Sequence, residues 1–190
     1  ARYDVHQLRN ENMAILVGIN TVLKDNPALT TRIPNGRNPI RIVLDSTLKI
    51  PLDYQLVVDQ QAETWMFTSQ HHNEEKKRAL EALGIKVFVT SHENRVDPNE
   101  VIQILGEKGV SSLMIEGGGN VNASFLENGL IDKVVLYFAP KLIGGKEAPT
   151  FLEGTGFELM KDAVELIDTD MVRVGNDFKF IGYPTYENEN

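Results

Sequence analysis

Six short apolar runs, spaced by segments of helical period, restrict this chain more than any other feature of its sequence. They are AILVG (14–18), IRIVLD (40–45), TWMFTS (64–69), KVFVT (86–90), SLMIEG (112–117) and KVVLYFAP (133–140). Around them lie RYDVHQLRNE (2–11), EEKKRALEALG (74–84), PNEVIQILGEKG (98–109) and NVNASFLENGL (120–130), which place apolar residues three or four apart. A strand that is apolar on both faces must be covered on both, and alternation with amphipathic helices supplies the cover. The expected architecture is therefore α/β, a mostly parallel central sheet flanked by helices. The tail departs from this rhythm. AVELIDTDMVRV (163–174), a Gly175-Asn176-Asp177 turn and FKFIGYP (178–184) predict a C-terminal antiparallel hairpin on the edge of the sheet. The polar end, Glu187 to Asn190, is expected to fray.

This order of elements says where a ligand belongs. In open α/β sheets ligands dock beyond the carboxyl ends of the strands. Past those ends come GINTVLKDNP, Ser46, Thr68-Ser69 and Glu116-Gly117-Gly118-Gly119, so glycine, hydroxyl and carboxylate groups gather on one rim. A triple glycine alone is a turn. Between a buried strand and a helix start it also leaves backbone N–H groups free for an anion.

Composition excludes several classes. The chain has 190 residues, 42% of them hydrophobic, enough for one domain over 1–190. No run approaches the roughly 18 apolar residues of a membrane span, and no stretch reads as a signal peptide. The absence of cysteine removes thiol nucleophiles and zinc–thiolate sites, and a cytoplasmic location is expected. A net charge of −8 argues against nucleic acid as a partner. His6, His71, His72 and His92 show no metal-ligand spacing with carboxylates, so no metal is expected.

The segment GINTVLKDNPALTTR (18–32) is dense in candidates. Thr21 suits a phosphate or amide, or simply caps a helix. Asp25 precedes Asn26-Pro27, which also reads as a turn. Arg9 and Arg32 have the right chemistry for a phosphate monoester, because a guanidinium fork binds two oxygens at once. The plain alternative is solvated surface charge.

DVHQLR, AILVGINTVLKDNPALTTR, NPIRIVLDS, IEGGGNVNASFLENGLIDKVVLYFAPKLIGG and the closing hairpin together resemble the reductase domain of the bifunctional riboflavin-biosynthesis deaminase–reductase, over nearly the whole chain. The resemblance implies a dihydrofolate-reductase-like fold, NADPH as hydride donor and 5-amino-6-(5-phosphoribosylamino)uracil as substrate, its ribosyl group reduced to ribityl. It implies NADPH contacts at Thr21, Asp25, Ser46 and the run Gly118, Gly119, Asn120, Val121, Asn122, Ala123 and Ser124. Substrate contacts would be Arg9, Leu29, Arg32 and Glu116. The expected chemistry opens the ribosylamine ring to an imine and delivers hydride to the first sugar carbon. Asp25 is the candidate for orienting the nicotinamide or assisting proton transfer. Ser46, with Thr68 or Ser69, is expected to meet the adenosine 2′-phosphate. Self-association as a homodimer and an upstream fused zinc deaminase domain also follow from the resemblance.

Three departures are visible. The family opens with a strand carrying Ser-Leu-Asp-Gly-Lys and then Trp-Ile-Thr, and neither precedes Ala1 in this sequence. The deaminase signature is absent as well, and Met13 stands where the family commonly has Asp. Two rivals stay open: another NADPH reductase of this fold acting on a pterin-like heterocycle, and a non-catalytic phosphosugar- or nucleotide-binding domain.

Overall fold

The structure, a computed structural model, describes residues 1–145, 148 and 150–186; the polar end at 187–190 lies outside the described residues. Helix α1 (Arg2–Glu11) leads into β1 (Ala14–Gly18), whose five residues are all buried. Next come α2 (Ile19–Asp25), β2 (Ile40–Leu44), the one-turn α3 (Gln55–Val58) and β3 (Thr64–Thr68). Then α4 (Glu74–Ala82), β4 (Lys86–Val89), α5 (Pro98–Glu107), β5 (Leu113–Ile115) and α6 (Gly119–Glu127) complete the alternating part. Strands β1 to β5 form one parallel sheet in the order β4-β3-β2-β1-β5.

The parity of the apolar runs builds two cores. Ile15 and Val17 join Val43, Met66, Leu56 and Leu80 on one face. Ala14 and Leu16 join Ile42, Trp65, Phe67, Val101, Leu105 and Phe125 on the other. The largest fully buried side chain is a charged one. Arg41 of β2 is 1% exposed, and its guanidinium donates to Asp59, Thr64 Oγ1 and the carbonyls of Ala28 and Ala62. A buried charge persists only when it is paired and fully hydrogen-bonded, and here it ties β2 to the α3 loop.

The remaining strands, β6 (Val134–Phe138), β7 (Glu165–Val174) and β8 (Asp177–Thr185), form a separate antiparallel sheet in the order β6-β8-β7. The hairpin thus has the expected turn, with Gly175 at φ 63°, but it is not the edge of the parallel sheet. It recruits β6 instead. The Asp-Asn-Pro stretch is also more than a turn. Ile19 and Val22 are buried on a short helix that Asn26 closes at φ 40°, its N–H donating to Val22 O, and Pro27 prevents continuation.

Candidate active site

Helix α1 lies so that its Arg2, His6 and Arg9 face the loop after α2. With Pro27, Ala28, Leu29, Arg32, Glu116 and Tyr137 they line a cleft of about 570 Å³ at the carboxyl ends of β1 and β5. Arg9 is fixed there. Its Nε and Nη2 donate to the two oxygens of Glu116 at 2.8 and 2.6 Å, and Nη1 donates to Thr30 O at 3.0 Å. Two parallel charge-assisted bonds hold both groups rigidly. Glu116 still has lone pairs free to accept from a ligand, because each carboxylate oxygen has more than one acceptor site. Arg32 is exposed, and no ion pair engages it among the described residues. Leu29 is 3% exposed yet has φ 51°, a strained conformation for a leucine, and it lies on the wall of this cleft.

Two groups that sequence reading left aside belong to the same place. His6 accepts through Nδ1 from the Arg32 N–H at 3.3 Å, and burial, then Arg9 and Arg32, hold its pKa below the ordinary value. The spacing of residues 2, 6 and 9 was the available signal, since it puts all three on one helical face. Tyr137 of β6 donates to Asp4, and Lys179 pairs with the same carboxylate at 2.8 Å. Burial and then Asp4 push the Tyr137 phenol well above its usual range. Asp4 is raised by burial but more than offset by its bonds to Lys179 and Tyr137, so its pKa falls. No sequence spacing links positions 4, 137 and 179.

The proposed dinucleotide side adjoins through Glu116. An added Cβ at Gly118 would meet only Thr21 Oγ1, at 3.6 Å, and Gly118 has an ordinary φ of −64°. Nothing in the protein itself requires glycine there, so the space in front of it suits the backbone of a bound group. Asp25 stands one turn beyond Thr21 on the exposed end of α2, sharing its face and outside the lining of the 570 Å³ cleft. Gly18 and Gly117 have an internal reason to be glycine: their Cβ atoms would press on Val121, at 2.7 and 3.2 Å.

The remainder of the 118–124 run is partly covered. Glu153 N donates to Gly119 O, Asn120 Nδ2 donates to Glu153 Oε2 at 2.6 Å, and Asn122 Nδ2 donates to Phe151 O. An added Cβ at Gly119 would lie 2.5 Å from the Glu153 side chain. Ala123 is buried, Val121 packs against the core, and the Ser124 carbonyl is taken by Asn128. Ser46 sits at the end of β2, where its carbonyl accepts from Thr68 Oγ1, Ser69 Oγ and Ser69 N. Thr68 and Ser69 are therefore spent on the fold and fully buried, which removes them as phosphate ligands. Within the described residues no group of three or more His, Asp and Glu is placed to hold a metal, and no helix is long and apolar enough to cross a membrane.

The RibD C-terminal domain family matches residues 1–180. A riboflavin biosynthesis protein RibD from Bacillus amyloliquefaciens is 43% identical over 185 residues, covering 97% of this chain and 50% of that protein. A 2,5-diamino-6-ribosylamino-4(3H)-pyrimidinone 5′-phosphate reductase from Aquifex aeolicus is 35% identical over 162 residues, covering 85% of this chain and 72% of that protein. The solved structure of Acinetobacter baumannii RibD, form 2, superposes with TM-score 0.78 at 25% identity, over 97% of this chain and 50% of that one. The chain spans about half the length of the RibD relatives it matches.

Proposed function

The chain belongs to the RibD C-terminal domain family, and from that membership we propose that it reduces 5-amino-6-(5-phosphoribosylamino)uracil to the ribityl compound, with NADPH, in riboflavin biosynthesis. The observation that carries this reading is the cleft, where Arg9, Leu29, Arg32 and Glu116 converge from α1, the loop after α2 and the end of β5. Each has a role suited to that substrate. Arg32 offers an exposed fork to the 5′-phosphate. Glu116, held by Arg9, accepts from N–H groups of the pyrimidine ring, a pairing that discriminates because a mismatched ligand leaves the acid unpaired. Leu29 supplies the apolar wall.

When bound, NADPH supplies the hydride to C1′ of the sugar, after the C1′–O4′ bond has opened with a proton to O4′ and loss of the amine N–H has made the C=N bond. Gly118, Thr21 and the first turn of α6 would hold the dinucleotide, and Ser46 its adenosine end. Asp25, on the Thr21 face of α2, would orient the nicotinamide or hand the closing proton to the exocyclic nitrogen.

The same cleft serves a second substrate, the diaminopyrimidinone counterpart named for the Aquifex aeolicus relative, whose extra amino group is one more donor for Glu116. NADPH consumption with each 5′-phosphate separates them. A higher kcat/KM for the uracil supports the first reading, and a higher value for the pyrimidinone replaces it with the second. Calorimetry should show binding of the favoured compound that is lost on dephosphorylation. Equal binding of phosphorylated and dephosphorylated forms would remove the phosphate assignment.

A further inference from the structure

The wall of the cleft that carries Leu29 has no regular secondary structure, and its shape is set by side chains from three other elements. Residues 26–32, between α2 and β2, form neither helix nor strand, yet Ala28, Leu29 and Thr30 are buried. Buried main-chain groups outside a ladder need partners elsewhere. The Asn26 carbonyl accepts from Gln55 Nε2 of α3 at 2.7 Å. The Ala28 carbonyl accepts from Arg41 Nη1 of β2 at 3.2 Å, and the Thr30 carbonyl from Arg9 Nη1 of α1 at 3.0 Å. Each guanidinium is in turn held by a carboxylate, Arg41 by Asp59 and Arg9 by Glu116.

Leu29 stands between the two arginine anchors, and it is the residue that needs them. Its φ of 51° lies in the left-handed region, which a side chain with a Cβ disfavours. Such a conformation persists only where the surroundings over-determine it. The angle φ relates the peptide before a residue to the peptide after it. With Ala28 O fixed on Arg41 ahead of Leu29, and Thr30 O fixed on Arg9 behind it, that angle has little freedom. The anchors also aim a donor. A trans peptide points its N–H opposite to its C=O, so the Leu29 N–H is directed away from Arg41. No acceptor takes up that N–H among the described residues. Leu29 lines the substrate cleft, whereas Arg41 does not.

We propose that Arg41, buried and outside the cleft, is a positioning residue for the reduction: with Asp59 it holds the Ala28 carbonyl and locks Leu29 at positive φ. The apolar wall and the Leu29 N–H are thereby presented to the pyrimidine ring. This rests on the cleft being the substrate site, as proposed above. A ring carbonyl is the matching acceptor for that N–H, and the uracil and the pyrimidinone both carry one. Arg32 follows Leu29 by three positions, so the same anchors set the distance between the ring wall and the phosphate fork. The residue type fits the task. The guanidinium reaches Thr64 Oγ1 through Nε, Asp59 and Ala28 O through Nη1, and Ala62 O through Nη2. A lysine ammonium is a single donor point and cannot serve those four partners together.

Nuclear magnetic resonance on the ligand-free chain reads the conformation directly. Positive φ brings a residue's amide and α protons close, so Leu29 should show a strong intraresidue HN–Hα NOE. Arg41→Lys keeps the charge without the fork, and Asp59→Asn keeps the shape without the charge that steadies the guanidinium. Both should weaken that NOE. Both should also raise KM for the 5′-phosphate substrate by about tenfold, near the upper worth of one main-chain hydrogen bond, with kcat changed by less than about twofold. Leu80→Ala, in the same core as Leu29 but outside the lining of the cleft, controls for lost stability alone. It should lower the melting temperature and leave the NOE and KM as they were. Asp59 is only partly buried, so Asp59→Asn decides the matter where Arg41→Lys does not fold. The proposal is overturned if the parent chain lacks the Leu29 NOE, or if a folded Asp59→Asn or Arg41→Lys chain keeps either the NOE or the KM of the parent. It is also overturned if Leu80→Ala raises KM equally. A parent chain that reduces neither 5′-phosphate would refute the functional reading alone, and the NOE comparison would still decide whether Arg41 holds Leu29.

Discussion

The two sheets hold the apolar residues of their strands in opposite environments. In β1 and β3 all five residues are buried, with helices and loops over both faces. In β7 the ten residues are almost all exposed, including Ile167 at 49% and Met171 at 59%. An apolar side chain on a strand is therefore not by itself enough to make a core. A sheet is buried only where other elements cover it, and among the described residues no helix crosses the outer face of the hairpin as α4 and α5 do for the parallel sheet. The parallel half is a finished core that positions a site. The antiparallel half brings Tyr137 to that site and otherwise faces outward.

The sharpest way to break this contrast is a matched pair of substitutions. Arg41→Met removes a buried charge that pairs with the partly buried Asp59 and should cost about 3–5 kcal/mol of stability in urea denaturation. Met171→Ser on β7 should stay within about 0.5 kcal/mol. Equal losses would show that the outer sheet is covered after all.

Next in size is the substrate end. Arg32→Ala should raise KM for the 5′-phosphate by about 10- to 150-fold, the equivalent of roughly 1.5–3 kcal/mol for a charge-assisted bond, while kcat changes little. Arg32→Lys should recover part, keeping the charge without the fork. A dephosphorylated substrate should be indifferent to both. If it suffers equally, the Arg32 side chain supports the loop rather than reading phosphate.

A contrast between neighbouring glycines is expected to be smaller. Gly118→Val should leave the melting temperature near that of the parent and weaken NADPH binding by about tenfold, roughly 1.4 kcal/mol. Gly18→Ala should do the reverse, lowering stability through its 2.7 Å approach to Val121. Unchanged NADPH binding in a folded Gly118→Val chain would move the dinucleotide elsewhere.

The smallest effect is in pH. The His6 pKa is lower folded than unfolded, so the unfolded chain takes up the proton first as pH falls. Its contribution to stability is complete above about 6.5 and declines as pH drops toward the lower folded value. His6→Gln should flatten that part of the stability profile. An unchanged slope would assign it to other groups.

The sequence by itself determined the five parallel strands and the helices α1, α4, α5 and α6, whereas α2 and α3 were not among its expectations. Each follows from spacing along a single element: AILVG and the Trp65-Met66-Phe67 centre of β3 are buried on both faces because successive positions are apolar, and Arg2–Glu11 is the helix its period predicts. It also placed Arg9, Leu29, Arg32 and Glu116 among the candidates, and the fold brings those four together. Tertiary structure alone decided the rest, because the deciding contacts join residues far apart in the chain. Arg9 and Glu116 are 107 positions apart, and only the packing of α1 against the end of β5 turns two separate ligand candidates into one fork. Asp4 and Tyr137 are 133 apart. The hydroxyls of Thr68 and Ser69 looked free on the rim, yet they turn inward because the Ser46 carbonyl needs donors once β2 and β3 pair. Local periodicity reports which face of an element is apolar; it carries no information about which edge, cleft or carbonyl that element will meet.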